Sequence, residues 1–441
     1  MPAKSKQPVF ESWGRYPKAD CRVEPLFWMD EFPRGTRLPP EVLAVGMGRS
    51  YGDVGLLEEG TLLSTRGLDR FIRFDPATGL LRCESGVTLA EILRFAVPRG
   101  WFLPVTPGTK YVSVGGAIAN DVHGKNHHVA GTFGCHVPAL ELVRSDGTHI
   151  TCSEERNSEM YRATIGGMGL TGLVAWAEVQ LRPIASRKIR YEGIKFQGID
   201  EFLALSESSG PAECTMAWID CVSRGKNFAR GIFMQGDHSE VIEPKKVSGE
   251  PRLTVPFDFP SWALNRTSMR IFNELYYRKQ LRRRVTGLVD YEPFFYPLDS
   301  ILHWNRIYGK RGFLQFQCVL PWRYGRDGIV AILEAIADSG LASFLAVLKV
   351  MGDRPSPGMM SFPQPGITLA LDISIVPGVT FPLFERLAEM TRELDGRLYP
   401  AKDARMTGPQ FRSFYPQWEE FAAYRDPAFT SLFWERVTAD A

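Results

Sequence analysis

Three glycine-rich turns, each flanking a predicted strand, lie between residues 46 and 172 and limit what this chain can fold into. They are residues 46–52 (GMGRSYG), 108–116 (GTKYVSVGG) and 166–172 (GGMGLTG). Glycine lets another backbone or a ligand approach closely. A single turn of this kind could be a plain tight turn. Three together could line an extended dinucleotide whose pyrophosphate is held by backbone amides.

The first turn does not have the Rossmann pattern. Its spacing is G-x-G-x-x-x-G, and residues 54–60 after it are typical of a loop rather than a helix. A Rossmann site requires the N-terminus of a helix beside the pyrophosphate. We therefore exclude a Rossmann fold.

The remaining pattern predicts an α+β fold, because strands and helices are mixed without a strict βαβ alternation. Residues 88–97 have helical spacing with a capping box at Thr88 and Glu91. Residues 139–152 predict a β-hairpin across Ser-Asp-Gly. We expect residues 1–40 to be an irregular arm, residues 235–256 a loop or lid, and residues 398–405 loop-like.

Composition excludes several classes of protein. The formal net charge is +2, which argues against a chain-wide nucleic-acid footprint. No apolar stretch is long enough for a membrane span, and the first ten residues have no apolar core of a signal peptide. The seven cysteines have no C-x-x-C spacing. These features predict a cytoplasmic protein.

Residues 123–128 (HGKNHH) place three histidines and one lysine together directly after a run of small residues. A zinc site is one interpretation, but neither a carboxylate nor a cysteine completes an obvious ligand set. A polar surface loop is another, and it leaves the small residues before the motif unexplained. We predict no metal here.

Several motifs together resemble the vanillyl-alcohol-oxidase-type FAD flavoproteins, and among these the decaprenylphosphoryl-β-D-ribose 2′-oxidase subfamily, which is the oxidising half of a ribose-to-arabinose epimerase. The similarity runs from about residue 42 to 430, and its most specific part is HGKNHH. The other motifs that carry it are 48–53 (GRSYGD), 107–109 (PGT), 114–118 (VGGAI), 274–279 (ELYYRK), 304–306 (WNR), 308–309 (YG), 312–317 (GFLQFQ), 361–363 (SFP) and 398–403 (LYPAKD).

The resemblance implies an FAD-binding domain made of two segments, residues 1–184 and 397–441, around an α+β substrate-binding domain with an antiparallel sheet, residues 185–396. Some relatives attach FAD to a histidine in the first glycine turn. Because that position is Arg49 here, we expect FAD to be bound non-covalently. The implied FAD-binding residues are Gly46, Gly48, Arg49, Ser50, Tyr51, Gly52, Asp53, Gly108, Ser113, Val114, Gly115, Gly116, Asn120, Asp121, Val122, His123, Val174 and Tyr399.

The implied reaction is the oxidation of a sugar secondary alcohol to a ketone, with a hydride passing to the flavin. Lys402 is the first candidate for a charged catalytic contact, followed by Lys125 and His123, without a choice between base and electrophile. Gln317 and Lys349 would bind the sugar or its phosphate. Without the resemblance, each lysine would be read as an ordinary solvated surface charge.

Three positions depart from the family pattern at the predicted substrate site. Ala370 stands where well-known members have a cysteine facing the flavin, and Thr368 stands at an asparagine position. Phe295 stands at a tyrosine position, with Tyr296 beside it. Because hydride transfer needs no thiol, we expect alcohol oxidation to persist. We also expect poor reaction with covalent inhibitors that target the cysteine.

Residues 276–284 (YYRKQLRRR) hold five cations close to Trp262, Phe272 and Leu275. On a helix, this arrangement predicts a face for anionic lipid headgroups, and hence peripheral contact with the inner face of a membrane. The alternative is an ordinary solvated helix end.

Three functions remain open at this point. The first is oxidation of the 2′-hydroxyl of polyprenylphosphoryl-β-D-ribose, with a separate keto-reductase of the NAD-dependent short-chain dehydrogenase type completing the epimerisation. The second is oxidation of a soluble alditol or aldonolactone. The third is a non-catalytic flavin- or lipid-binding scaffold.

Overall fold

The fold is taken from a computed structural model, which describes residues 9–32, 41–241, 253–260 and 262–439. No helix in these ranges is both long and apolar enough to cross a membrane. The strands are β1 (Val9–Glu11), β2 (Lys18–Asp20), β3 (Arg22–Pro25), β4 (Val42–Val45), β5 (Thr61–Ser64), β6 (Phe71–Phe74), β7 (Leu80–Glu84), β8 (Trp101–Phe102), β9 (Ala139–Val143), β10 (His149–Ser153), β11 (Leu173–Gln180), β12 (Arg182–Pro183), β13 (Lys188–Phe196), β14 (Cys214–Ile219), β15 (Gly231–His238), β16 (Leu253–Thr254), β17 (Arg284–Asp290), β18 (Ile301–Leu302), β19 (Phe313–Pro321), β20 (Ala346–Met351), β21 (Gly366–Ser374) and β22 (Arg397–Leu398).

Helices lie between these strands without a regular βαβ order, so the α+β prediction is confirmed. The α-helices are α1 (Leu89–Ala96), α2 (Val114–Ala119), α3 (His127–Ala130), α4 (Ser158–Thr164), α5 (Gly198–Ser208), α6 (Arg266–Lys279), α7 (Tyr291–Phe295), α8 (Trp322–Asp338), α9 (Thr380–Glu393), α10 (Gly408–Phe414), α11 (Trp418–Ala422) and α12 (Leu432–Thr438).

The first half of the chain forms small sheets. A parallel sheet has the order β3-β5-β4, and an antiparallel sheet has the order β10-β9-β11-β7-β6. The predicted hairpin is β9–β10, and Gly147 takes a positive φ in its turn. The predicted capping box at α1 is also present, with Thr88 and Glu91 bonded reciprocally. Local turn and cap chemistry therefore determines these elements.

The second half is built on one eight-stranded sheet with the order β17-β13-β15-β14-β20-β21-β19-β22. Successive residues of a strand point to opposite faces. Phe316 of β19 and Leu348 of β20 belong to the main hydrophobic core, and helices α8 and α9 pack on this sheet. The neighbouring residues Gln317 and Lys349 point away from that core into a cavity. The alternation thus turns one face of the sheet into the wall of a site.

The C-terminal segment returns to the first half. Phe429 forms a parallel bridge with Val42. The Arg436 guanidinium donates to both oxygens of Asp53 at 2.8 Å and to Asp403 at 3.0 Å. This ion cluster ties the first glycine turn to the chain end.

Four sequence expectations are wrong in detail. The N-terminal arm is not wholly irregular, because β1–β3 lie within it. The expected loop at 235–256 begins late, since β15 continues to His238, and its residues 242–252 lie outside the described ranges. Residues 398–405 include the end of β22 and a 3-10 helix, Pro400–Lys402. The basic segment is helical only to Lys279, since the backbone is extended at Gln280 and β17 begins at Arg284.

Candidate functional site

The three glycine turns and the large sheet enclose one cavity of about 1130 Å³. Its lining combines backbone of the glycine turns, polar and charged side chains from the sheet, and apolar side chains around α6. In the register of the sheet, Trp218, Val347, Ala370 and Gln317 lie side by side, from Trp218, which packs on Tyr276 of α6, to Gln317, which contacts His123. The cavity is therefore apolar at the α6 end and polar towards His123.

The glycines of the first turn are required by close packing. A Cβ on Gly46 would lie 2.1 Å from the Ser113 Oγ, and a Cβ on Gly52 would lie 1.4 Å from the carbonyl oxygen of Asp403. Gly48 has a φ of +61°, which other residues rarely adopt. Close packing at Gly46 and Gly52 and the positive φ at Gly48 thus favour glycine, so the cavity wall there is backbone.

Three buried polar atoms on this wall have no partner in the described structure. They are the Arg49 Nε, the Ser85 Oγ and the Asn120 Oδ1, and all three residues line the cavity. Burying a polar group without a hydrogen bond is costly, so such groups on a cavity wall are available to a bound ligand. Two donors and an acceptor beside a backbone-lined wall suit a nucleotide cofactor. Ser85 was missed from the sequence because nothing in its local pattern marks it.

Most of the sequence-predicted FAD-binding residues line the cavity. Those that do are Gly46, Gly48, Arg49, Ser50, Tyr51, Gly52, Gly108, Ser113, Gly115, Gly116, Asn120, Val122, His123, Val174 and Tyr399. Asp53, Val114 and Asp121 lie outside its walls. Asp53 is ion-paired with Arg436. Asp121 accepts from the Gly134 N–H at 2.8 Å and the Ser361 hydroxyl at 2.6 Å. These two carboxylates support the turns from behind.

His123 lies at the centre of a hydrogen-bonded group. The Lys349 Nζ lies 3.0 Å from its Nδ1, and the Gln317 Nε2 lies 2.9 Å from its Nε2. Burial and then the charge of Lys349 hold the pKa of His123 well below its usual value, so the ring is neutral. A neutral imidazole donates at one nitrogen and accepts at the other. A protonated Lys349 donates to Nδ1, so the ring proton lies on Nε2, where the Gln317 amide then presents its oxygen rather than its nitrogen.

Lys349 itself donates to the carbonyl oxygen of Gly124 at 3.0 Å. Burial, reinforced by the charge of Lys125, lowers the pKa of Lys349 to about 7. The charged and neutral forms are thus of similar free energy near neutral pH.

Lys402 extends over the ring of Tyr51, with its Nζ 3.9 Å from the ring centroid. The carboxylate whose charge acts on the Lys402 pKa is that of Asp372, which accepts a hydrogen bond from the Gln315 amide. Burial lowers the pKa of Lys402 and raises that of Asp372, and each charge partly opposes the other shift. Gln315 and Asp372 were not predicted, although the two-residue spacing from Gln317 and Ala370 would have placed them on the same face.

Lys125 donates to the carbonyl oxygen of Phe294, and its Nζ lies 4.8 Å from the Phe294 ring centroid and 5.9 Å from that of Phe295. Burial lowers the pKa of Lys125 to about 8. The structure thus brings all three predicted catalytic residues, Lys402, Lys125 and His123, into one cavity.

The predicted substrate residues divide between the cavity and the protein interior. Gln317, Lys349, Phe295 and Ala370 line the cavity. The Tyr296 hydroxyl lies 2.7 Å from the Thr106 Oγ1, outside the cavity wall. Thr368 also lies outside it, and its hydroxyl donates to the carbonyl oxygen of Cys318 at 2.7 Å. A ligand would therefore meet Phe295 rather than Tyr296.

Replacing Gly46 with alanine is expected to reduce FAD retention. The new methyl group would lie 2.1 Å from the Ser113 Oγ. This overlap would push the first glycine turn away from α2. The ratio of flavin to protein absorbance after purification measures the loss. Gly287→Ala is the control, because its Cβ would meet nothing within 4 Å. Equal FAD content in both variants would contradict the prediction.

Replacing Lys125 with methionine is expected to change how stability depends on pH. Its pKa is about 8 when folded, against a reference of 10.5. Between these values the unfolded chain binds more protons, so wild-type stability rises with pH relative to the variant by up to about 1.4 kcal/mol per pH unit. Urea unfolding at pH 8 and above would measure this, with the exposed Lys226→Met as the control. A difference in the free energy of unfolding between wild type and Lys125→Met that does not change with pH would refute the prediction.

Comparison with known proteins supports a nucleotide cofactor in the cavity. Residues 36–153 match the family model described as an FAD binding domain. The chain is 36% identical over 401 residues to the decaprenylphosphoryl-β-D-ribose oxidase of Mycolicibacterium smegmatis, covering 87% of this chain and 85% of the relative. It is 30% identical over 369 residues to an uncharacterised Streptomyces coelicolor protein (78% and 98%). It is 22% identical over 407 residues to an L-gulono-1,4-lactone dehydrogenase of Mycobacterium tuberculosis (90% and 89%).

The family match and the cavity identify FAD as the cofactor, and the unpartnered Arg49 Nε, Ser85 Oγ and Asn120 Oδ1 are suited to hold it. The vanillyl-alcohol-oxidase-type fold expected from the sequence is confirmed by that match. The chain belongs to the decaprenylphosphoryl-β-D-ribose oxidase family of FAD-dependent oxidoreductases.

Proposed function

We propose that this enzyme oxidises the 2′-hydroxyl of a polyprenylphosphoryl-β-D-ribose to the 2′-ketone, the first step of epimerisation to the arabinose donor. The observation that carries the proposal is a single cavity that joins a cluster of buried lysines to an apolar end. The name of the M. smegmatis relative supports the same substrate.

The charge of the cavity favours an anionic ligand. Within the described residues, no ion pair joins Lys125, Lys349 or Lys402 to a carboxylate, and the carboxylates that line the cavity are Asp299 and Asp372. Buried charges normally have partners. A sugar phosphodiester would supply the missing negative charge, whereas a neutral alditol or aldonolactone would not.

The apolar end of the cavity suits a prenyl chain. It is lined by Met269, Phe272 and Tyr276 of α6, together with Trp218 and Phe259. Burying such side chains against a hydrocarbon removes apolar surface from water. A soluble polyol leaves this half of the cavity without a function.

FAD bound in the cavity supplies the hydride acceptor. The protein must then orient the sugar and handle the hydroxyl proton. Lys402, with its lowered pKa, is placed to exchange a proton near neutral pH or to stabilise negative charge. The Lys349–His123–Gln317 group orients the sugar and its phosphate, and Phe295 helps to exclude water.

We further propose that residues 1–184 and 397–441 form the FAD-binding domain around a substrate-binding domain, 185–396. The contacts of Phe429 with Val42 and of Arg436 with Asp53 support this division. At the start of the second segment, β22 (Arg397–Leu398) pairs with β19 of the substrate-binding domain, so the proposed domains meet at this edge of the large sheet. Non-covalent attachment of FAD is proposed because Arg49 cannot form the histidyl bond.

Two partners follow from the chemistry. Oxidation alone leaves a ketone, so a separate keto-reductase of the NAD-dependent short-chain dehydrogenase type must complete the epimerisation. A polyprenyl substrate resides in a membrane, so we propose that the enzyme works as a peripheral protein at the inner face.

Anaerobic titration of the purified holoenzyme with synthetic polyprenylphosphoryl-β-D-ribose tests the function. We expect the visible flavin band to bleach and mass spectrometry to detect the keto product. Bleaching by free polyols instead would favour the soluble-substrate oxidase. A flavin that no alcohol reduces, in a protein that forms stable complexes with partners, would favour the scaffold.

A further inference from the structure

The cavity opens to solvent beside α6. Phe259 and Phe272 both line the cavity, and yet they are 37% and 43% exposed. Tyr276 and Lys279 line the same end, one and two turns further along α6 from Phe272. These four residues therefore mark the mouth of the cavity.

The next stripe of α6 is apolar and faces solvent. Ile271 and Leu275 are four residues apart, and so are neighbours on one face of the helix, with exposures of 57% and 65%. Other exposed apolar side chains lie close by in the sequence, including Trp262 at 75% and Leu281 at 91%. About half of the exposed large apolar side chains in the described chain fall between residues 253 and 302. Such a concentration marks an interaction surface.

The exposed stripe is presented by a firmly held helix. The amide of Asn273, on another face of α6, donates to Asp220 at 3.0 Å and to the carbonyl oxygen of Ser343 at 3.2 Å. The Asn265 side chain caps the N-terminus of α6. The exposure of Ile271 and Leu275 is thus built into a fixed element.

Unpaired cations are neighbours of these apolar residues in the sequence. Arg278, Arg283 and Arg284 are ion-paired with Glu274, Glu201 and Glu192 respectively. By contrast, the structure gives no ion pair among the described residues to three exposed cations, Arg270, Lys279 and Arg282. Exposed apolar side chains with unpaired cations next to them complement the interface of an anionic bilayer.

We propose that Ile271, Leu275 and Leu281, with Arg270 and Arg282, dock on the surface of a membrane that carries anionic lipids, which sets the mouth of the cavity at the headgroup layer. This proposal rests on the proposed function, because docking would let the sugar of a lipid-linked substrate enter the cavity while its lipid chain stays in the membrane leaflet. It adds the surface that makes contact and the lipid charge that the surface selects.

Flotation of the holoenzyme with lipid vesicles tests the docking. We expect binding to vesicles of phosphatidylcholine mixed with phosphatidylglycerol, and at least tenfold weaker binding to phosphatidylcholine alone. Ile271→Gln/Leu275→Gln should weaken binding to both, and Arg270→Gln/Arg282→Gln should weaken mainly binding to the anionic vesicles. Ile72→Gln/Val129→Gln is the control, since both residues are exposed apolar positions away from α6.

The outcomes separate docking from function. Binding that the α6 variants do not change, or no binding at all, would overturn the docking surface. So would a dimer in solution that Ile271→Gln/Leu275→Gln dissociates, since the surface would then be a contact between copies. Ile271→Gln/Leu275→Gln should retain the wild-type rate of flavin reduction by a short-chain, water-soluble substrate. With the long-chain substrate in vesicles, the rate of flavin reduction should fall about tenfold. If vesicles bind but neither substrate reduces the flavin, the proposed function fails and the surface stands.

Discussion

Replacing Lys402 with methionine is expected to slow reduction of the bound flavin by substrate by about 10²- to 10⁴-fold, the usual range for losing a group that handles a proton. The Lys402 Nζ reaches into the cavity over Tyr51, and no hydrogen bond of the described structure holds it there. The ammonium is thus available to substrate. Anaerobic stopped-flow absorbance measures the rate, and flavin content shows whether FAD is retained.

A second substitution decides which role Lys402 has. Lys402→Arg keeps the positive charge but cannot lose its proton. If Lys402 accepts the hydroxyl proton, the arginine variant will be as slow as the methionine variant. If it stabilises charge, the arginine variant will recover much of the rate. Lys226→Met, at an exposed position, is the control, and a Lys402→Met rate within threefold of wild type would exclude both roles.

The features that the sequence could predict are local ones. The capping box of α1, the β9–β10 hairpin and the glycine turns each depend on residues close together in the chain. The sequence also predicted that three glycine turns line one ligand site. It could do so because close packing requires glycine at positions such as Gly46 and Gly52, and these glycines form a repeated pattern in the sequence.

Features that depend on distant pairing could not be predicted. β3 is a strand because it pairs in parallel with β5, almost 40 residues later. Asp372 reaches the site because it lies opposite Gln315 in the register of β19 and β21. Ser85 faces the cavity next to the second glycine turn, without any motif of its own. In each case the position is set by a partner that the local pattern does not contain.

The choice between adjacent residues shows the same limit. Phe295 and Tyr296 are equally plausible from the sequence as contacts for a sugar. The Tyr296 hydroxyl is held by Thr106, which leaves the Phe295 ring beside Lys125. A tertiary hydrogen bond thus decides which aromatic side chain meets the substrate.

The affinity for an anionic substrate is expected to fall as pH rises above about 7. Burial and the charge of Lys125 lower the pKa of Lys349 to about 7, so the free enzyme loses this proton above neutral pH. A bound phosphodiester remains negative throughout and favours the protonated lysine. Binding must then take up a proton, and KM should rise by up to about tenfold per pH unit for one such proton. Lys125, whose pKa is about 8, adds to the effect at higher pH.

Steady-state KM with a dye acceptor, measured from neutral to alkaline pH, tests this dependence. Lys349→Arg should make KM nearly independent of pH in the range just above neutral, because the arginine stays charged. Lys349→Met should raise KM even at the lowest pH measured. His123 does not titrate in this range, since burial and Lys349 hold its pKa well below the usual value. A KM that stays constant across neutral and alkaline pH in the wild type would show that Lys349 does not bind the phosphate. The negative charge would then have to be met by another cation that lines the cavity, of which Lys125 and Lys402 are the first candidates.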